Sequence, residues 1–129
     1  MNVAIQSAAV GLGAAIGANL RYWVGVAAGA SAKVVWPWPT LVINVTGSLF
    51  LGVVTALAER QGWSLGWKLF LGVGIAGGYT TFSTFSREAF DLLAAGRTAA
   101  GLGYMAASLG LCVAGYALGY LLPGWFGSR

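Results

Sequence analysis

The sequence predicts an all-α integral membrane protein with four transmembrane helices, the third broken near its middle. Three observations carry this reading. Of the 129 residues, 58% are hydrophobic and 8% charged, whereas an ordinary soluble domain carries about 25% charge. The charged residues leave long uncharged stretches at 1–20, 34–58, 69–86 and 98–128. Each approaches the ~20 apolar residues that cross about 30 Å of hydrocarbon in helical form. Glycine supplies 21 residues, which suits close packing between membrane helices.

The same composition narrows the function. Such hydrophobicity excludes intrinsic disorder, and the glycines lack the three-residue period of collagen. With no histidine and one cysteine, neither a His/Cys metal site nor a disulfide framework can be built within one chain. Ser-His-Asp and Cys-His nucleophilic chemistry lacks its base. No Gly-rich phosphate loop is present, which argues against an ATP-driven pump. The net charge of +4 comes from dispersed cations that read as span-end anchors, so nucleic acid is not an expected partner.

The chain reads as one four-helix transmembrane domain over 1–129. The first span, 3–29, has no Lys or Arg ahead of its apolar run and Arg21 after it, the reverse of a cleaved signal peptide. The second, 38–58, carries Thr40, Asn44 and Ser48 at i, i+4 and i+8 on one face. The third, 66–94, would be about 44 Å long as a helix and exceeds the hydrocarbon core. Its middle reads Gly77-Gly78-Tyr79-Thr80-Thr81-Phe82-Ser83-Thr84-Phe85-Ser86, poor material for an uninterrupted helix. A break at Gly77-Gly78 would free carbonyls able to bind a cation. A continuous helix with both glycines packed on a neighbour fits the same residues. The fourth span, 99–122, carries Tyr104, Ser108 and Cys112 four apart. Gly13/Gly17, Gly74/Gly78 and Gly115/Gly119 share the spacing of small-residue helix contacts.

Orientation follows from Lys and Arg near the span ends. Arg60, Lys68 and Arg129 fall on the side of the N-terminus, and Lys33, Arg87 and Arg97 fall opposite, with Arg21 inside or near the end of the first span. The tie gives little reason to insert one way only, so dual topology is expected unless a few charges near the N-terminus decide the matter.

Asparagine in particular has no reason to face lipid. The polar stripes are either inter-helix hydrogen bonding or the lining of a hydrated path. Hydroxyl and amide donors, with the electropositive edges of Phe82 and Phe85, suit a small anion. Arg21 either draws anions into a vestibule or snorkels to headgroups. Glu88 and Asp91 follow Arg87 and are expected at a solvated helix end. Four short helices leave little room for a private pore, so a homo-oligomer with the path at subunit contacts is expected.

Residues 77–86 closely resemble the GG-x-TTFSTFS signature of the Fluc/CrcB fluoride channels. Trp36-Pro37-Trp38 and Thr40-Leu41-Val42-Ile43-Asn44-Val45-Thr46-Gly47 resemble that family's second-helix pattern, and Gly17-Ala18-Asn19-Leu20-Arg21-Tyr22 its first. The resemblance implies an antiparallel, dual-topology homodimer with two pores. It would export fluoride passively across the bacterial cytoplasmic (inner) membrane, as a multi-pass protein among membrane lipid, and so protect against fluoride toxicity. By the same resemblance, Phe82 and Phe85 are pore phenylalanines and Asn44 a pore amide donor. Tyr104 and Ser108 form a hydroxyl track, Ser83 and Thr84 flank the phenylalanines, and Arg21 stands near the aqueous entrance. Gly77 and Thr80 match positions whose backbone carbonyls hold a structural Na⁺ at the dimer centre. Cys112 departs from the pattern, standing where some relatives continue the track with serine; a thiol donates more weakly.

Two other functions fit the composition: a proton-coupled fluoride transporter with Glu88 as proton carrier, and a non-conducting structural bundle. An enzyme is not expected.

Overall fold

A computed structural model describes residues 2–29 and 36–126, the last of them by its backbone alone. Lys33 and Arg129, two cations of the orientation tally, lie outside the described residues. The described chain is helical almost throughout: α1 (Val3–Ala27), α2 (Trp38–Arg60), α3 (Leu65–Lys68), a π-helical stretch (Leu69–Ala76), α4 (Gly77–Tyr79), α5 (Phe82–Ala94) and α6 (Thr98–Phe126). From α3 through α4 the backbone runs as one rod over 65–79.

Local chemistry sets the ends. Asn2 caps α1 by accepting a hydrogen bond from Ile5 N–H at 3.0 Å. Pro39 occupies the first turn of α2, where its missing N–H costs nothing. Helix α5 stops at Gly96, whose φ of +73° is open to glycine. There Arg97 N–H returns to Leu92 O at 2.9 Å and Gly96 N–H to Leu93 O at 3.0 Å, a Schellman closure.

Helices α1, α2 and α6 are each long and apolar enough to cross a membrane. Neither the rod nor the 13-residue α5 is long enough alone to do so.

The glycine pairs explain how the helices meet. Helix α1 packs along the rod, with Gly13 against Gly74 and Gly17 against Gly78. A Cβ at Gly13 would sit 2.9 Å from Gly74 Cα, and one at Gly17 2.7 Å from Tyr79 N. Helix α6 packs along α2 with Gly119 against Leu49 and Val53, and Gly52 answering against Tyr116 and Tyr120. Such backbone-to-backbone approach is how helices gain dispersion energy where lipid cancels the hydrophobic drive.

A small core of Leu41, Ala89, Leu92 and fully buried Tyr104 joins α2, α5 and α6. Outside it, large side chains such as Val3, Leu12, Leu109 and Val113 are more than half exposed. So much apolar surface on one chain calls for lipid or a partner.

Candidate functional site

The third segment does break, but at Thr80-Thr81 and not at Gly77-Gly78. Thr80 (φ −77°, ψ 157°) and Thr81 (φ −148°, ψ 113°) are both extended, as two successive β-branched residues favour. Gly77 is helical (φ −66°, ψ −37°). A Cβ on Gly78 would lie 2.6 Å from Ala14 O, so this glycine serves close packing. Both readings of the segment thus hold in part: its second glycine packs, and the threonines break.

Each threonine terminates one helix. Thr80 N–H and Oγ1 both donate to Ala76 O, at 3.0 and 2.9 Å, and end the rod. Thr81 Oγ1 accepts from Thr84 N–H at 3.2 Å and starts α5. The backbone polar groups of Thr81 that the break frees from helical pairing are matched by Asn44. Its Nδ2 donates to Thr81 O at 3.1 Å, and its Oδ1 accepts from Thr81 N–H at 2.8 Å. Gly47, one turn on, has no side chain to obstruct the break; a Cβ there would strike Thr80 Cγ2.

Beside the break lies an open groove of about 600 Å³ between α2, the rod, α5 and α6. Asn44, Ser48, Gly77, Thr80, Thr81, Phe82, Phe85, Ser108 and Cys112 line it, together with aliphatic residues, and no charged residue does. The stripe from α2 and the stripe from α6 therefore meet in one place. Phe82 is 79% exposed; its ring stands 5.3 Å from that of Phe85, tilted by 48°. Phe85 stands 5.2 Å from Tyr104 at 50°. Tilted pairs of this kind are a preferred aromatic packing geometry.

Not every expected residue lines the groove. Tyr104 is fully buried behind Phe85. Ser83 is exposed, with Oγ 3.3 Å from Thr81 Oγ1, and Thr84 Oγ1 accepts from Thr81 Oγ1 at 3.0 Å. Ser108 is 6% exposed and its Oγ has no hydrogen-bond partner. Arg21 lies outside the lining; its Nε donates to Gly78 O at 3.2 Å.

Glu88 corrects the expectation of a solvated helix end. It is half-buried, accepting from Thr40 Oγ1 at 2.9 Å and from Tyr104 OH at 2.8 Å. Thus Thr40 and Tyr104, one from each stripe, converge on one carboxylate. Helical spacing held the signal: Phe85, Glu88 and Leu92 recur at i, i+3 and i+7 and share the inward face of α5. Asp91 is exposed as expected.

Among the described residues no three His, Cys, Asp or Glu gather. A cation here would have to be held by backbone and hydroxyl oxygens. Gly77 O fits that requirement. Thr81 N–H, which would reach it in a continuous helix, is turned to Asn44, and Gly77 is exposed beside Thr80 in the groove.

The family model described as "CrcB-like protein, Camphor Resistance (CrcB)" matches residues 8–120. A Chloroflexus aurantiacus protein named "Fluoride-specific ion channel FluC" is 42% identical over 120 residues, covering 92% of this chain and 95% of that protein. A protein of the same name from Rhizobium meliloti is 46% identical over 103 residues, covering 79% and 82%. Another from Nitrobacter winogradskyi is 47% identical over 107 residues, covering 81% and 84%.

Proposed function

The chain belongs to the CrcB-like protein family, and we propose that it is a fluoride-selective channel exporting the ion passively across the bacterial inner membrane. One observation supports this most: the groove at the helix break is lined by two phenylalanine rings, aliphatic side chains and a few amide and hydroxyl groups, with no charged side chain. A small anion can exchange its water for such donors without being trapped by a fixed cation. Asn44 is suited to the task, because an amide nitrogen has two hydrogens and only one is spent on Thr81. Phe82 and Phe85 would present ring edges to the ion, and Ser108 lines the same groove. Ser83 and Thr84 hold the first turn of α5, and Tyr104 backs Phe85. Arg21 brings positive charge to the break.

The interrupted segment over 65–94 makes the fourth crossing. An irregular backbone at membrane depth must be covered by protein or line a cavity. Here Asn44 covers one side, and the groove remains open on the other. A second copy closes it, and the charge tie supports an antiparallel, dual-topology pair with a path along each groove. Na⁺ would be held at the centre of that pair by the carbonyls of Gly77 and Thr80. Two carbonyls fall short of a coordination shell, so a two-fold copy has to supply the rest. Bound there, Na⁺ would offset the negative ends of the two rods.

Purified protein in liposomes loaded with fluoride tests the proposal. Rapid passive fluoride efflux is expected, with far slower chloride efflux under the same gradient. Equal rates for the two halides would refute selectivity, and no efflux from folded protein would favour a structural bundle.

A second reading rests on Glu88. A half-buried carboxylate next to Phe85 is a candidate proton carrier, which would make the chain a proton-coupled fluoride transporter. Electrogenic fluoride flux indifferent to an imposed proton gradient would eliminate that reading.

A further inference from the structure

A helix that stops inside a bundle leaves its last carbonyls without donors. In a continuous helix Gly78 O would accept from Phe82 N–H, but Phe82 begins α5 beyond the break. The donor that replaces it comes from a distant part of the chain: Arg21 Nε, at 3.2 Å. Its placement is built into the packing of α1. Gly17 lies one turn before Arg21 on the same face, and a Cβ there would come within 3.1 Å of Gly78 C. The contact that brings α1 onto the rod thus also delivers the guanidinium to Gly78. Successive carbonyls in a helix are rotated by about 100°. Holding Gly78 O toward Arg21 therefore also constrains the direction of the carbonyl before it, that of Gly77, a residue of the groove lining.

We propose that Arg21 is a positioning residue. Its Nε–H bond to Gly78 O sets the end of the rod, and conduction depends on that bond more than on the positive charge of the guanidinium. The inference rests on the reading of the chain as a fluoride channel and revises what a cation near the entrance does.

Three substitutions separate bond from charge. Arg21→Gln places an amide nitrogen the same number of bonds from the backbone as Nε, without charge. Arg21→Lys keeps the charge but puts a methylene at that position. Arg21→Met has neither. Each is reconstituted at about one channel per liposome, and fluoride efflux is read in two ways: the rate from active liposomes and the fraction of liposomes emptied. Arg21→Gln is expected within about threefold of the parent rate, while Arg21→Met and Arg21→Lys fall by about tenfold or more. Emptied fractions should stay unchanged. Arg21→Gln no faster than Arg21→Met overturns the proposal, as does a parental rate in Arg21→Met or Arg21→Lys. A change only in the emptied fraction also overturns it, because the bond would then serve assembly alone. A parent protein that releases no fluoride overturns the channel reading beneath it, an outcome read before any variant is compared.

Discussion

Asn44 and Thr81 are joined by two hydrogen bonds running in opposite directions, Nδ2 to the Thr81 carbonyl at 3.1 Å and Thr81 N–H to Oδ1 at 2.8 Å. One side chain thereby replaces the helical partners of an interrupted backbone. Thr81 is buried, so losing this pair leaves polar groups unsatisfied. Asn44→Ala should destabilise the protein by about 1–3 kcal/mol and stop fluoride efflux. Asn44→Asp sets a carboxylate oxygen against the Thr81 carbonyl and should be worse. Thermal unfolding in detergent, monitored with efflux, checks both; an Asn44→Ala protein of unchanged stability would show that the pair is dispensable.

The phenylalanines should separate flux from stability. Phe82 is largely exposed, so Phe82→Ile should leave the melting temperature in place and cut fluoride efflux by about tenfold or more. Phe85→Ile also loses its contact with Tyr104 and should cost roughly 1 kcal/mol besides. Full efflux in both variants would remove the rings from the path.

Glu88 accepts from two hydroxyls at once, which a carboxylate does well and an amide does poorly. Glu88→Gln turns an NH₂ toward Thr40 or Tyr104 and should lower stability by about 1–2 kcal/mol. A cycle of Thr40→Val and Tyr104→Phe should be non-additive, because both act through the same carboxylate. Additive losses in detergent melting would mean that the two bonds are independent.

The glycine contacts predict opposite signs at two positions of α1 and its partner. Gly78→Ala forces a Cβ against the Ala14 backbone and should cost about 1–3 kcal/mol by pushing α1 off the rod. Gly25→Ala meets nothing within 4 Å and should be neutral or stabilising by up to about 1 kcal/mol, through helix propensity. Equal effects at the two positions in a melting experiment would contradict the close contact at Gly78 and the open space at Gly25.

If insertion is dual, a reporter fused to the C-terminus should be detected on both sides of the membrane in comparable amounts. Signal confined to one side would leave the antiparallel pair without its subunits. For the proposed cation, replacing Na⁺ by a large organic cation should slow fluoride efflux, with Na⁺ restoring it; indifference to the exchange would exclude a functional Na⁺.

Helix boundaries were legible because membrane spans announce themselves through the spacing of charge and apolar runs. The expected spans 3–29, 38–58 and 99–122 lie within a few residues of α1, α2 and α6. The glycine spacings were legible for a similar reason: close approach leaves a periodic trace along one helix. The exact break was not, because glycine and β-branched residues both weaken a helix, and only the partners on α2 decide which of them yields. Glu88 is hidden on a related ground, although its spacing from Phe85 and Leu92 places it on the inward face of α5. A carboxylate beside Arg87 and Asp91 reads as solvated until Thr40 and Tyr104 are known to reach it.

By itself, the sequence determined a membrane chain with apolar spans, polar stripes on two of them, an over-long third segment with a weak middle and the signature of its family. Those properties depend on composition and on periodicity along single helices. Only the tertiary structure decided that the backbone opens at Thr80-Thr81, that Asn44 and Arg21 supply the missing hydrogen-bond partners, and that two stripes converge on one uncharged groove. Satisfying a buried polar group depends on which side chain arrives from another helix. That is fixed by inter-helix packing at distances no local pattern records.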